Sequence, residues 1–365
     1  MRFVLPPTTA VRPQMPQDGD PPPALEKLKV VAIGGGTGLP IVLQGLKHAL
    51  FSAEGAPPSP ELDDDRLTAI VTVADDGGSS GRLRQAYGVP PPGDVRNCLL
   101  ALAARDSKLT ALFDYRFEGG DEVSGHSLGN LILTALSRME NDFSRAIERG
   151  AEILGVRGRV FPSTTEDVRL RAELDDGRWV EGESRISSVP GLIRRVSLEP
   201  REPRALAQAV QSALYADLVV IGPGSLYTSV IPVLLVKEIS EAIRQSAARV
   251  VLVMNLTTEP GETDRHTAAD HLLAIRRHAP DVPIHDVLVN ATPISEGLVR
   301  AYSMAGATPV CPDLELLRAL GYRPVMRELL ASGPKIRHDP DRLATVLLEL
   351  AAAGPARTRP SCAAS

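Results

Sequence analysis

Six short segments carry the residue types that handle phosphates, hydroxyls or cations. The first is Gly34-Gly35-Gly36-Thr37-Gly38, directly after an apolar run. Glycine N–H groups approach a phosphate without a Cβ in the way, and a helix start behind them favours negative charge. The dinucleotide fingerprint fails here. Its third small position falls on Leu39 counted from Gly34, or on Ile41 counted from Gly36. A P-loop fails too, because no Gly-Lys-Ser/Thr follows. A plain tight turn explains this loop equally well.

The second segment is Asp75-Asp76-Gly77-Gly78-Ser79-Ser80-Gly81-Arg82. Adjacent carboxylates repel unless a cation or hydrogen-bond donors offset them. One could accept from a ribose hydroxyl while the other holds Mg²⁺ near a phosphate. The bland alternative is a solvated loop with an aspartate helix cap. So dense a polar loop after a buried strand has little packing purpose, which favours a ligand.

The third segment, Pro90 to Asn97, places Asp94 to cap a helix starting near Val95. Asn97 then faces the site, and Arg96 can pair with a carboxylate of the second loop. The fourth contains His126, Ser127 and Asn130. Sequence neighbours rarely have nucleophile–base geometry and no third member is visible, so a ligand contact or a structural histidine is expected. The fifth, Gly222-Pro223-Gly224-Ser225, repeats the logic of the first in the second half of the chain. The sixth, Asn255 to Thr263, again follows an apolar run, and Glu262 and Thr263 could merely cap the next helix.

These loops need a frame. Strands are expected over Lys29–Ile33, Leu67–Val73, Asp217–Ile221, Arg249–Met254 and His285–Val289. Helices are expected over Leu39–Leu50, between Asp94 and Leu154, over Pro203–Tyr215, around Ala242–Ser246, and over Thr263–His278 and Pro340–Ala352. Strand–loop–helix alternation predicts an α/β fold: a Rossmann-like, mostly parallel sheet with helices on both faces. Ligands then sit outside the carboxyl ends of the strands. Residues at about 156–199 read as a small antiparallel β insertion, with Val168–Leu174 and Trp179–Ile186 flanking the hairpin signal Asp175-Asp176-Gly177. Residues 28–353 form one domain between a disordered leader, 1–27, and a disordered tail, 354–365. Gly55–Pro60 reads as a surface loop.

The net charge of −5 disfavours broad nucleic-acid binding, which needs many cations against phosphate. Aromatic residues are 4%, so Val, Leu, Ile and Ala must build the core. No apolar run is long enough for a membrane span, and no signal-peptide order is present, so a cytoplasmic location is expected. Cys98, Cys311 and Cys362 have neither disulfide nor zinc spacing and read as buried or tail thiols.

Taken in order, GGGTGL, VTVADDGGSSGRLR, PPGDVRNCL, GHSLGNL, VVIGPGSLYTSVIP and NLTTEPGET resemble the gluconeogenesis factor family (YvcK-like). That family is a sister of the 2-phospho-L-lactate transferases (CofD-like). The resemblance spans about Lys29 to Val310. It implies binding of UDP-sugars such as UDP-N-acetylglucosamine, and a role in cell-wall integrity, cell shape and carbon-source use, with no established reaction. Implied partners are the nucleotide-sugar, proteins of cell-wall synthesis and a second copy of the chain. The transferase sister implies instead a metal-dependent transfer of a phospholactyl group, with Asp75 where its metal-binding acid would be sought. The DDGGSSGRLR loop is similar to the gluconeogenesis factor type. One departure stands after GETD, where the family often has an aromatic residue and this chain has Arg265 and His266. His266 could stack on uracil in its place; Arg300 and Tyr302 are weaker candidates for the same end of the ligand.

Overall fold

The computed structural model describes residues 27–51, 64–103, 108–120 and 122–354. The expected leader and tail lie outside these residues, apart from Lys27 and Gly354, as do the Gly55–Pro60 loop and Cys362.

A seven-stranded sheet forms the centre. In chain order its strands are β1 (Val30–Gly34), β2 (Leu67–Val71) and β3 (Arg159–Pro162), then β7 (Leu218–Ile221), β8 (Arg249–Val253), β9 (Asp286–Asn290) and β10 (Arg323–Arg327). Their spatial order is β10-β9-β8-β7-β1-β2-β3, and every pairing is parallel. Every residue of β1, β2, β7 and β8 is buried. That is why these strands read as unbroken apolar runs rather than alternations. Helices pack around the sheet as the alternation predicts. Gly38–Phe51 buries Leu39, Val42, Leu43, Leu46 and Leu50, a stripe at helical spacing.

Between β3 and β7 lies a separate three-stranded antiparallel sheet: β4 (Arg169–Leu174), β5 (Trp179–Glu181) and β6 (Ile193–Glu199). The hairpin turns at Gly177, whose φ of +86° is left-handed and suits glycine. Leu170, Ala172, Val180, Val196 and Leu198 are buried from this sheet.

Several expectations are corrected. Arg159–Pro162 lies inside the stretch read as the insertion, yet it pairs with β2 and extends the main sheet, so the small sheet starts only at Arg169. Trp179–Ile186 is not one strand. Gly182, at φ +100°, ends it and a short helix, Glu183–Ile186, follows. The helix expected from Pro203 begins at Ala207. The helix expected from Thr263 begins at Ala268, because Thr267 and Asp270 form a reciprocal capping box. β10 was not expected; its residues are mostly exposed and include Pro324, as an edge strand allows. Cys98 is buried but Cys311 is exposed, so the latter is neither a core nor a tail thiol.

Candidate functional site

Chain order runs outward in both directions from the β1–β7 pair, so the switch in strand order lies between them. The first and fifth loops leave those two strands side by side. Gly36 (φ +63°), Gly222 (φ +68°) and Gly224 (φ +154°) hold left-handed conformations that favour glycine. The bends touch. A Cβ on Gly38 would collide with the Pro223 backbone, and one on Gly224 would lie 3.2 Å from the Gly35 carbonyl.

Side chains hold both bends from behind. The Asn255 amide pairs with Gly224 as a peptide would: its Oδ1 accepts the Gly224 N–H at 3.0 Å and its Nδ2 donates to the Gly224 carbonyl at 2.9 Å. Asp94 accepts the Gly36 N–H, and Asn97 Nδ2 lies 3.5 Å from the Gly36 carbonyl. The Gly36 and Gly224 N–H groups are therefore engaged within the protein. The anion-attracting groups left are the first-turn N–H groups of Gly38–Phe51, which have no intrahelical acceptor. Thr37 is exposed there. Ser225 donates to Glu259.

Asp94 is not the cap expected. The helix is Gly93–Leu102 with Pro92 at its cap, and Asp94 turns back to the glycine bend. Burial pushes its carboxyl up to about 6. Asp75 accepts the Gly77 N–H at 2.8 Å and the Ser80 hydroxyl proton, yet burial still raises its pKa. Ser80 Oγ in turn accepts the Gly93 N–H at 3.2 Å. Asp75, Ser80, Gly93 and Asp94 thus fasten the second loop to the third and the first.

Asp76 leaves this group. Its Oδ1 accepts the Ser184 N–H at 2.9 Å, which ties the loop to the small sheet. Arg82 also leaves, donating to the Ser124 carbonyl at 2.6 Å. Gly78 is exposed at the start of the helix Gly78–Tyr87. Arg96 meets no second-loop carboxylate; it is buried against Ser127 Oγ and Asn97 Oδ1.

Two glutamates complete the acidic side, and neither was read as a site residue. A Cβ on Gly77 would lie 3.4 Å from Asp75 Oδ1 and 3.5 Å from Glu183 Oε2, so Glu183 of the small sheet's short helix faces Asp75. Burial, then the charges of Asp75, Glu262, Asp76 and Asp94, push Glu183 up to about 8. Glu262 does not cap the next helix. It accepts the Thr228 hydroxyl at 2.8 Å and the N–H groups of Tyr227 and Thr228. Burial and then Glu259 raise it to about 7, and its Oε2 has no partner. Nothing local in the sequence marks Glu183. Glu262 stood out only by its place after a buried strand.

His126 pairs not with its neighbour Ser127 but with Ser79, across the fold. Ser79 Oγ lies 2.8 Å from His126 Nδ1 and accepts from Asn130 Nδ2 at 3.0 Å. Burial, then Arg82 and Arg116, lower the His126 pKa. Among the described residues no carboxylate bonds to that ring, so a hydrolytic triad is not assembled. Ser127 instead caps the helix Leu128–Glu140 through the Asn130 N–H.

Beyond Tyr227 opens a cleft of about 860 Å³, lined by Tyr227, Thr258, His266 and Arg277 and by Leu192 and Ile193 of the small-sheet segment. His266 Nε2 lies 3.4 Å from the Tyr227 hydroxyl, and its ring stands edge-on to Tyr227 and His271. Arg300 and Tyr302 sit on Glu296–Met304, a helix with no buried residue. Arg300 is largely exposed, and the Tyr302 hydroxyl accepts the Ile336 N–H at 3.0 Å.

Comparison with known proteins follows the same outline. The family model described as 2-phospho-L-lactate transferase CofD matches residues 30–330. A gluconeogenesis factor of Halalkalibacterium halodurans is 44% identical over 326 residues, covering 89% of this chain and 97% of that protein. A gluconeogenesis factor of Bacillus subtilis is 42% identical, covering 89% and 98%. A crystal structure of a UPF0052 family member from Bacillus halodurans superposes with a TM-score of 0.81 at 44% identity, covering 88% of this chain and 100% of that one. With its central sheet, its touching glycine bends and this likeness over most of its length, the chain belongs to the CofD family, among the gluconeogenesis factors.

Proposed function

We propose that the chain is a regulatory protein that binds a nucleotide-sugar, of the UDP-N-acetylglucosamine class, at the switch point of its sheet. The observation that carries this reading is the contact between the Gly34–Gly38 and Gly222–Ser225 bends, with a helix N-terminus facing the same point. The diphosphate lies against that N-terminus, and the base reaches toward His266 and Tyr227. In the cell the protein serves cell-wall integrity, cell shape and carbon-source use from the cytoplasm, through protein partners or a second copy of itself. Nucleic acid is not its ligand. Among the described residues no helix is long and apolar enough to cross a membrane.

The charges around the bends set a condition. Asp75, Asp94, Glu183 and Glu262 gather beside the bends, and in their ionised forms they repel a diphosphate unless a divalent cation accompanies it. Among the described residues no set of three acidic, histidine or cysteine side chains could hold a metal alone. Mg²⁺ shared with ligand phosphates needs only one or two carboxylates, and Asp75 with Asp94 fits that role. Such an ion would neutralise the phosphates. Isothermal titration with UDP-N-acetylglucosamine, with and without Mg²⁺, tests the reading; no heat in either condition overturns it.

The family match and the facing carboxylates support a second reading, a metal-dependent transferase acting on a nucleotide-linked donor. It requires a new product by mass spectrometry, and loss of that product in Asp75→Asn.

A further inference from the structure

A second cleft, of about 640 Å³, lies where the small sheet meets the C-terminal end of the helix Ala268–His278. Trp179, Arg194, Arg195, Arg201, Arg277 and His278 line it, and no carboxylate does. Positive charge so concentrated is unexpected in a chain of net charge −5. The nearby acids do not balance it. Arg194 and Arg195 share the single carboxylate of Glu173. Arg277 donates to the Arg194 carbonyl at 2.8 Å, and Arg201 is exposed with no ion pair among the described residues. The guanidinium groups of Arg171 and Arg195 lie 5.2 and 5.4 Å from the Trp179 ring centre. The wall behind them is built. His278 donates from Nδ1 to the Ala274 carbonyl at 2.7 Å and accepts the Val196 N–H on Nε2 at 2.8 Å, which pins β6 to the helix.

We propose that this cleft is a second anion site, for a phosphorylated small molecule with at least two negative charges. Guanidinium forks match phosphate oxygens in geometry and hold their charge at any physiological pH. The volume falls in the range of small-ligand sites, roughly 300–1,000 Å³. Folding gives no comparable reason for the cluster, since exposed ion pairs contribute little to stability. The cleft is separate from the glycine bends, none of whose residues line it.

Trp179 is the chain's only tryptophan, so its emission reports on this cleft. The test titrates the full chain with inorganic pyrophosphate at low ionic strength, following tryptophan emission and heat together. The expected result is a saturable emission change whose midpoint rises about tenfold or more in Arg201→Glu and in Arg194→Ala, with thermal melts unchanged. Arg277 also lines the larger cleft and is therefore left intact. No saturable change, a midpoint indifferent to both substitutions, or a response only to vesicles of anionic lipid overturns the proposal. Pyrophosphate held at the glycine bends would give heat that survives Arg201→Glu without an emission change, so the two sites fail or succeed separately.

Discussion

The two halves of the site are built from different materials. Around β1 and β7 the working parts are backbone: glycine bends in left-handed conformations, held by Asn255 and Asp94. Around β2, the small sheet and the loop after β8 they are side chains, chiefly Asp75, Glu183 and Glu262, whose carboxyls are raised by burial. A backbone cradle has no titrating group of its own, and at Gly38 it has no room for an added carbon. A carboxylate cluster tolerates conservative replacement but stores repulsion that pH or a cation relieves.

The largest effect should come from adding one carbon to the backbone half. Gly38→Ala drives a Cβ into the Pro223 backbone, where no flexible side chain can give way. We expect a loss of about 3 kcal/mol in urea unfolding and no detectable nucleotide-sugar binding by calorimetry. A variant with native stability would show that the bends are not pressed together. Next comes Asn255→Ala, which removes both hydrogen bonds to Gly224. A loss of about 2 kcal/mol is expected, with weaker binding and no change in its pH profile.

The carboxylate half should instead show itself through pH. Burial pushes Glu183, Glu262 and Asp94 up to about 8, 7 and 6, from ordinary values of 4.5, 4.5 and 3.8. At these three groups the folded chain binds more protons than the unfolded one, so their contribution to the free energy of unfolding falls as pH rises across that window. Below about pH 6.5 the buried His271 and His338, lowered to about 4, act in the opposite sense, so the drop in unfolding midpoint should show between about pH 6.5 and pH 8 in the absence of ligand, and Glu183→Gln should flatten it. A wild-type profile rising between about pH 6.5 and pH 8 would refute these raised carboxyl values. The smallest effect belongs outside both halves. Arg300→Ala removes only an exposed pairing with Glu296 at 3.8 Å, so stability should stay within about 0.5 kcal/mol by the same denaturation measurement.

The sequence made the backbone half easy to find. β1, β2, β7 and β8 announce themselves as apolar runs, and glycine loops follow β1 and β7 directly, although a tight turn alone would read the same way. The carboxylate half was legible only in part. Asp75 stood out in a polar loop, but Glu183 lies 108 residues further on, in a stretch that read as a strand. Asp94 looked like a helix cap because an aspartate before a helix usually is one; its bond to Gly36 depends on how the third loop folds over the first. β10, a mostly exposed edge strand with a proline, gave no clear periodic signal.

By itself the sequence determined the local grammar of this protein: which runs must be buried, where the chain must turn at glycine, and which loops are too polar to serve packing alone. Those choices depend on neighbours a few residues apart. Only the tertiary structure decided which loops meet. It paired Ser79 with His126, Asn255 with Gly224 and Glu183 with Asp75, and turned Asp76 and Arg82 away. The reason is physical: pairing follows strand order and the docking of the small sheet, which are set by burying the whole apolar core at once.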